Sequence, residues 1–117
     1  MKILKYDIVK INLNPRKWHT QAGVRPCVVI QSNVFNKYSS TILVVPLTKV
    51  VKEIFPSEFW IEISEDNWLE YRSRFLGSQI ITVDKSYIIE KLWFVWEEYY
   101  FNIKEAINIS LDLENNY

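Results

Sequence analysis

YDIVKINL, residues 6–13, places apolar side chains at alternate positions. Alternation with a period of two is typical of a strand that buries one face of a sheet. Asn14 and Pro15 end this run, and residues 16–23 show neither a helical nor a strand period. We therefore predict a first strand that is followed by a loop.

Five further strands are predicted on the same grounds, from runs rich in β-branched and aromatic residues. They cover residues 27–30, 41–47, 58–63, 74–83 and, as a short strand, 91–93. Pro46 predicts that the third strand is an edge or ends there, because proline cannot donate to a ladder. Gly77 indicates a bulge or a close approach of backbone in the fifth strand. Ser32 or Asn33 can cap a helical turn at 34–36, and Asp84 can cap one at 85–86.

The end of the sequence has a different period. From Glu97 onward, apolar residues recur at spacings of three and four, which predicts an amphipathic helix. They are Tyr99 or Tyr100, Ile103, Ala106, Ile107, Leu111 and, more loosely, Leu113. Strands followed by one helix predict an α+β, mostly β fold, and a curled antiparallel sheet like an SH3-type barrel suits this size. Because 117 residues is the usual size of one domain, we expect residues 1–117 to form a single domain.

Composition limits the possible functions. Fourteen basic residues balance fourteen acidic ones, which argues against a protein that coats long duplex DNA and permits a short RNA groove. Cys27 is the only cysteine, so we expect a buried thiol, with no internal disulfide and no zinc cluster of cysteines. The sequence shows neither a signal peptide nor a run long enough to span a membrane, and we expect a soluble, cytoplasmic protein.

Three blocks of the sequence resemble the MazF/PemK toxin family, and their order and spacing agree with it. The first block contains Asp7-Ile8-Val9, Asn14-Pro15 and residues 19–30 (HTQAGVRPCVVI), the second is Val45-Pro46-Leu47-Thr48, and the third is residues 79–85 (QIITVDK). The similarity extends from about residue 6 to about residue 111. One block alone would be a weak signal, whereas three in register are specific.

The resemblance implies a CcdB/PemK-type curled barrel with a C-terminal helix and the toxin of a type II toxin–antitoxin system. It implies a sequence-specific endoribonuclease that cuts single-stranded RNA without a metal or other cofactor and leaves a 2′,3′-cyclic phosphate and a 5′-hydroxyl. It also implies a homodimer that binds RNA across its two-fold interface, and a cognate antitoxin protein as partner.

Three residues are the expected catalytic groups. Arg25 has the planar guanidinium that binds phosphate oxygens in pairs, and Pro26 after it restricts its backbone to the extended region. Thr48 can add a hydroxyl hydrogen bond, and His19 has the pKa range that proton transfer requires. Each residue also has a structural alternative: a solvated arginine, a threonine that closes a strand, and a histidine that organises a loop.

Four residues are the expected substrate contacts. Trp18 can stack on an RNA base, Gln21 shapes the loop before Arg25, and Gln79 and Ser78 lie at the third block. Ser78 occupies a place where family members often carry an acidic residue, which serves as general base in some of them. Ile81 stands where the family usually has an arginine, so a positive contact to RNA is missing.

These departures leave two alternatives to an active nuclease. One is a catalytically impaired relative that binds RNA or an antitoxin, and the other is a protein-binding toxin similar to the CcdB gyrase poisons. Arg25, Pro26 and Thr48 favour the nuclease. Trp60, Trp68, Trp93 and Trp96 are expected mainly in the core or an interface, and Arg72 and Arg74 are expected as basic rim or solvated surface.

Overall fold

A computed structural model describes residues 2–13, 23–49, 55–62, 69 and 71–113 of the chain. In this part the chain forms seven strands, two α-helices and two short 3-10 turns. The elements are β1 (Asp7–Asn12), β2 (Val24–Val29), α1 (Asn33–Tyr38), β3 (Thr41–Thr48), β4 (Glu58–Ile61), β5 (Ser73–Leu76), β6 (Ile81–Asp84), β7 (Ile88–Phe94) and α2 (Tyr100–Leu111), with 3-10 turns at Lys85–Tyr87 and Glu97–Tyr99.

All strand pairs are antiparallel, in the order β4-β5-β3-β2-β1-β7. β6 pairs with the first half of β3, and β5 pairs with its last two residues. β6 and β5 therefore pair with the same edge of β3 at different points, and the sheet bends between them. This arrangement, with α2 after the last strand, confirms the predicted curled antiparallel sheet with a C-terminal helix.

Pro46 corrects one expectation, because β3 is an inner strand and not an edge. On one side Pro46 lies opposite Cys27 of β2. On the other side β6 reaches only as far as Val44, and β5 begins its pairing at Leu47. The proline thus falls in the gap between two neighbours, where a missing N–H costs no ladder hydrogen bond.

The predicted fifth strand is two strands, β5 and β6, which are separated by a turn at Gly77 and Ser78. The close backbone approach expected at Gly77 is confirmed. Its N–H donates to the Ser57 carbonyl at 3.0 Å, and a Cβ at this position would overlap that carbonyl and lie 3.0 Å from the Ala106 Cβ. This position has no room for a side chain, so glycine is required for steric reasons and not because the strand contains a bulge.

We expect Gly77→Ala to lower the free energy of unfolding by about 1–3 kcal/mol, because the new methyl group must push β4 away from β5. Urea denaturation followed by tryptophan fluorescence measures this change. Ser78→Ala is the control, since Ser78 is exposed and its substitution should leave the midpoint unchanged. Equal midpoints for the two variants would contradict this account of Gly77.

Two buried clusters lie on opposite faces of the central strands. The first lies between the two halves of the bent sheet and α2, and the helix contributes Ile103 and Ala106 to it. The second gathers Val9, Cys27, Val44 and other aliphatic residues of β1, β2, β3 and β6. Because both faces of β2 and β3 are buried, these strands have continuous apolar runs.

Two side chains of the predicted apolar helix stripe are exposed, and two tryptophans lie outside the core. Leu111 and Leu113 are 54% and 62% exposed, so the apolar face of α2 ends before them. Trp93 and Trp96, about two-fifths exposed, lie outside the core clusters, and Trp68 lies outside the described residues. The helical pattern thus predicted the helix correctly but placed its buried stripe one turn too far.

The three residues predicted as helix caps have different roles in the structure. Asp84 caps the 3-10 turn, because its Oδ1 accepts a hydrogen bond from the Ser86 N–H at 2.8 Å. Ser32 occupies the N-cap position of α1 without a side-chain cap bond. Asn33 instead accepts from the Lys5 N–H at 2.8 Å and ties α1 to the segment before β1. No helix within the described ranges is long and apolar enough to cross a membrane.

Candidate active site

Arg25 and Thr48 lie on neighbouring strands of the sheet. The ladder between β2 and β3 pairs Cys27 with Pro46 and Val28 with Val45. Continuing this register by two residues brings Arg25 opposite Thr48. Directly opposite residues of an antiparallel pair have Cβ atoms about 4.5–5.5 Å apart. Arg25 and Thr48 thus lie on neighbouring strands, each two residues beyond the Cys27–Pro46 pair.

The two residues also share one face of the sheet. Successive side chains of a strand point to opposite faces, so Arg25 shares its face with Cys27, and Thr48 shares its face with Val44. Cys27 and Val44 belong to the same buried cluster, the second of the two described above. Arg25 is partly buried, whereas Thr48 is only 2% exposed and is covered by its neighbours.

A cavity of about 320 Å³ opens at the same end of β2 and β3. Its wall combines cationic, aliphatic and hydroxyl-bearing residues. They are Lys10, Val24, Arg25, Pro26, Leu47, Lys49, Leu69, Tyr71, Ser73 and Leu92. Thr48 is not among them, since its neighbours Leu47 and Lys49 face the cavity and Thr48 alternates with them. Arg25 is thus the predicted catalytic residue that the cavity includes.

Positive charge dominates this end of the sheet. Lys10 and Lys49 join Arg25 in the wall, and the described lining residues include no carboxylate. Lys10 Nζ lies 3.7 Å from Glu90 Oε1, in a pair whose side chains are 41% and 55% exposed. Such an exposed pair contributes little and leaves the lysine available to an anion. The local charge suits phosphate even though the whole chain is neutral.

Gln79 and Ser78 lie in the turn between β5 and β6, where the Gln79 N–H donates to the Leu76 carbonyl at 2.8 Å. Ser78 borders an open groove of about 410 Å³, away from Arg25. That groove is lined by Phe55, Pro56, Ser57, Ser78, Ile109 and Ser110. Ser78, just before the third sequence block, therefore borders a groove that does not include Arg25.

Ile81 has a structural role. It is 4% exposed and packs in the second buried cluster, opposite Val44. An arginine there would have to extend past the core to reach an RNA phosphate. In this chain the position supplies apolar packing to the face that carries Arg25.

Trp18, His19 and Gln21 lie outside the described residues. The two ends of the connection that contains them are defined. Leu13 N–H donates to the Gly23 carbonyl at 2.8 Å, and Gly23 has φ 83°, a conformation that favours glycine. This connection begins and ends beside Arg25.

The buried pair Arg74 and Glu58 corrects the expectation of a surface arginine. Arg74 lies opposite Thr48 in the β3–β5 ladder, and its Nε is 3.4 Å from Glu58 Oε1. Both side chains are less than one-tenth exposed. Arg72 does lie at the surface, where it pairs with Glu62 at 2.7 Å and covers the Trp60 ring. Arg74 lies inside β5, where all four residues are buried, whereas Arg72 precedes the strand, and the sequence pattern does not separate the two arginines.

Cys27 is excluded as a nucleophile at neutral pH. The residue is fully buried, and burial raises the pKa of its thiol to about 12. The thiol thus stays protonated, and the thiolate is the reactive form. The expectation of a small buried thiol is confirmed. Within the described ranges, no three His, Cys, Asp or Glu side chains lie together as a metal site requires.

Comparison with known proteins finds one family model, which describes a PemK-like, MazF-like toxin of type II toxin–antitoxin systems and matches residues 4–111. A relative from Staphylococcus epidermidis named Endoribonuclease MazF is 36% identical over 115 residues, which cover 97% of this chain and 94% of the relative. A protein of the same name from Staphylococcus saprophyticus is 36% identical over 92% of this chain and 89% of its own length.

Solved structures share the fold at low sequence identity. MazF from Deinococcus radiodurans (form I) superposes with a TM-score of 0.81 at 19% identity, over 96% of this chain and 98% of that one. A mycobacterial endoribonuclease in complex with its cognate antitoxin gives a TM-score of 0.79 at 18% identity, over 97% and 99% of the two chains. These likenesses confirm the predicted α+β barrel architecture.

Proposed function

The chain belongs to the PemK-like, MazF-like toxin family of type II toxin–antitoxin systems, and on this basis we propose that it is an endoribonuclease that cleaves single-stranded RNA. The observation that supports the proposal is that Arg25 of β2 and Thr48 of β3 lie on neighbouring strands, each two residues beyond the Cys27–Pro46 pair. A guanidinium and a hydroxyl on neighbouring strands form a rigid pair of donors for a phosphate. The relatives named Endoribonuclease MazF support the same reaction class.

RNA carries its own nucleophile, and the protein supplies alignment and charge. In the proposed reaction the 2′-oxygen attacks the adjacent phosphorus, and a P–O2′ bond forms as the P–O5′ bond breaks. The 2′-hydroxyl loses its proton to a base, and the departing 5′-oxygen gains one. The products are a 2′,3′-cyclic phosphate and a 5′-hydroxyl, and atoms and charge balance without a metal or an external co-reactant.

Arg25 is assigned to the phosphate. Negative charge accumulates on the non-bridging oxygens as the 2′-oxygen attacks, and a guanidinium binds two such oxygens at once. Because β2 holds its backbone in an extended conformation and Pro26 follows it, the side chain starts from a fixed point. Thr48 adds a hydroxyl donor from β3. Preorganised donors of this kind act chiefly in the transition state.

His19 is proposed to move protons, and the other predicted contacts bind substrate. His19, Trp18 and Gln21 belong to the connection that begins and ends beside Arg25, and Gln79 lies in the turn before β6. Ser78 borders the second groove, so we assign it no contact with the scissile phosphate. In this chain the general base is therefore not at position 78.

The proposed partners follow the family. We propose a homodimer of 117-residue single-domain chains that binds RNA across its two-fold interface and a cognate antitoxin protein, and that works in the cytoplasm. The mycobacterial relative in the comparison was solved in complex with its cognate antitoxin. The surplus of cations beside Arg25 suits an acidic antitoxin as well as RNA.

We expect purified protein to cut long single-stranded RNA at discrete sites in the presence of EDTA. The reason is that the 2′-hydroxyl, a guanidinium and protein proton donors supply the whole reaction. Mapping of RNA ends should find 5′-hydroxyls and 2′,3′-cyclic phosphates. An RNA with 2′-O-methyl groups throughout is the control and should remain intact. Absence of cuts together with inhibition of gyrase would favour the protein-binding toxin, and loss of all cutting in EDTA would contradict the metal-free reaction.

A further inference from the structure

The cavity beside Arg25 joins two lysines to a wall of leucines, and this combination suits one nucleotide. We propose that it binds the nucleotide next to the scissile phosphate, with the phosphate of that nucleotide on Lys10 and Lys49. The inference rests on the proposed function, since it takes single-stranded RNA as the substrate. It adds a binding site on the opposite side of the sheet from Thr48.

The size of the cavity limits its occupant. A volume of about 320 Å³ is at the small end of ligand pockets, which span roughly 300–1,000 Å³. It accepts one base with its ribose and excludes a helix or a strand pair. Leu47 and Leu69 form the buried inner end of the cavity, and Val24 and Tyr71, 49% and 52% exposed, supply apolar surface that a base or ribose can contact. Leu47 and Leu69 also belong to the first buried cluster, so this inner end is fixed by the core.

The lysines are placed at the rim before substrate arrives. Lys49 Nζ lies 4.3 Å from the centre of the Tyr71 ring, and this cation–π contact restricts a side chain that is otherwise mobile. Ser73 Oγ donates to the Tyr71 carbonyl at 2.9 Å and holds the backbone of the aromatic residue. Lys10 is held only by its exposed pair with Glu90, which a phosphate can replace.

The position of the cavity fits an adjacent nucleotide. Leu47 and Lys49 flank Thr48 on β3 and face the cavity, whereas Thr48 faces the other side. Arg25 borders the cavity as well. An RNA strand that crosses the end of β2 and β3 at Arg25 thus places consecutive phosphates on the two sides of the sheet. Lysines bind phosphate as point charges, so the site contributes affinity and not base selection.

The test uses the full chain with both lysines replaced, Lys10→Gln/Lys49→Gln. We expect the KM for single-stranded RNA to rise about tenfold, because two charge-assisted contacts are lost, while kcat and the sites of cutting stay as in the wild type. An all-deoxy oligonucleotide of the same sequence has no 2′-hydroxyl to attack, so its binding can be measured without cleavage. The salt slope, which is the slope of the logarithm of the binding constant against the logarithm of the salt concentration, should become shallower by about 0.7 for each phosphate contact removed. Lys37→Gln/Lys104→Gln is the matched control, since both lysines are exposed and lie on the helices.

Three outcomes would overturn the inference. They are an unchanged KM and salt slope, a fall in kcat alone, and a loss of binding to a synthetic acidic peptide with unchanged binding to the oligonucleotide. The last result would assign the cavity to a protein partner. Failure of the wild type to cut RNA would refute the proposed function and leave the salt slope as a separate measurement of the cavity.

Discussion

Arg25→Ala is expected to reduce the rate of RNA cleavage by about 100- to 1,000-fold, the usual cost of removing one preorganised donor from a developing negative charge. Strand alternation puts the side chain of Arg25 on the face of Thr48, and the residue also lies at the edge of the cationic cavity. Loss of the guanidinium should lower kcat more than it raises KM, because Lys10 and Lys49 still attract the RNA.

The fold should survive this substitution. Arg25 is partly buried near the start of β2, outside both core clusters. Alanine is tolerated in an extended segment. Single-turnover cleavage of a defined RNA measures the rate, and thermal unfolding verifies the fold. Arg72→Ala is the matched control, since Arg72 is an exposed arginine with a carboxylate partner at 2.7 Å. Equal rates for wild type and Arg25→Ala would remove the basis of the proposed mechanism.

Local pattern was sufficient for most of the fold. The alternation in residues 6–13 became β1, and the β-branched runs became β2 and β3. Asp84 capped its turn as expected. These features depend on a few adjacent residues, so a single sequence contains the information. The choice of Arg25 and Thr48 as a pair came only from the resemblance, because the relation between residues 23 positions apart depends on strand register.

Features that depend on tertiary neighbours were not predictable. Pro46 sits in an inner strand because β6 and β5 leave a gap beside it, and no local signal reveals that gap. The close approach at Gly77 was predicted, but the group that causes it, the Ser57 carbonyl, could not be identified from the sequence. Leu111 continues the helical period, yet the core ends before it. In each case the deciding atom belongs to a distant part of the chain.

The candidate site shows the same division. Arg25, Thr48 and Gln79 were identified as residue types with suitable chemistry, whereas the lysines beside Arg25 were not, because Lys10 and Lys49 are unremarkable in sequence and meet only in the folded barrel. Arg74 was expected at the surface because arginine usually lies there. Its burial depends on Glu58, which lies on the neighbouring strand.

Arg74→Met is expected to lower the free energy of unfolding by about 3–5 kcal/mol, because it leaves the Glu58 carboxylate buried without its cation. Most of this cost comes from leaving the Glu58 carboxylate buried and unpaired, and less of it comes from the lost attraction between the two charges. Removing both charges, in Arg74→Met/Glu58→Met, should restore stability to within about 1 kcal/mol of the wild type or exceed it, since packed apolar side chains replace a pair that is costly to desolvate.

The exposed pair of the same chemistry is the internal comparison. Arg72 Nε and Glu62 Oε1 are 2.7 Å apart, which is closer than the 3.4 Å of the buried pair. Their side chains are 53% and 60% exposed, so water and salt screen them and Arg72→Met should cost at most about 1 kcal/mol. Urea denaturation of the three variants measures all of these values. If Arg74→Met cost no more than Arg72→Met, distance and not burial would govern the two pairs, and the account of Arg74 as a charge enclosed by the sheet would be wrong.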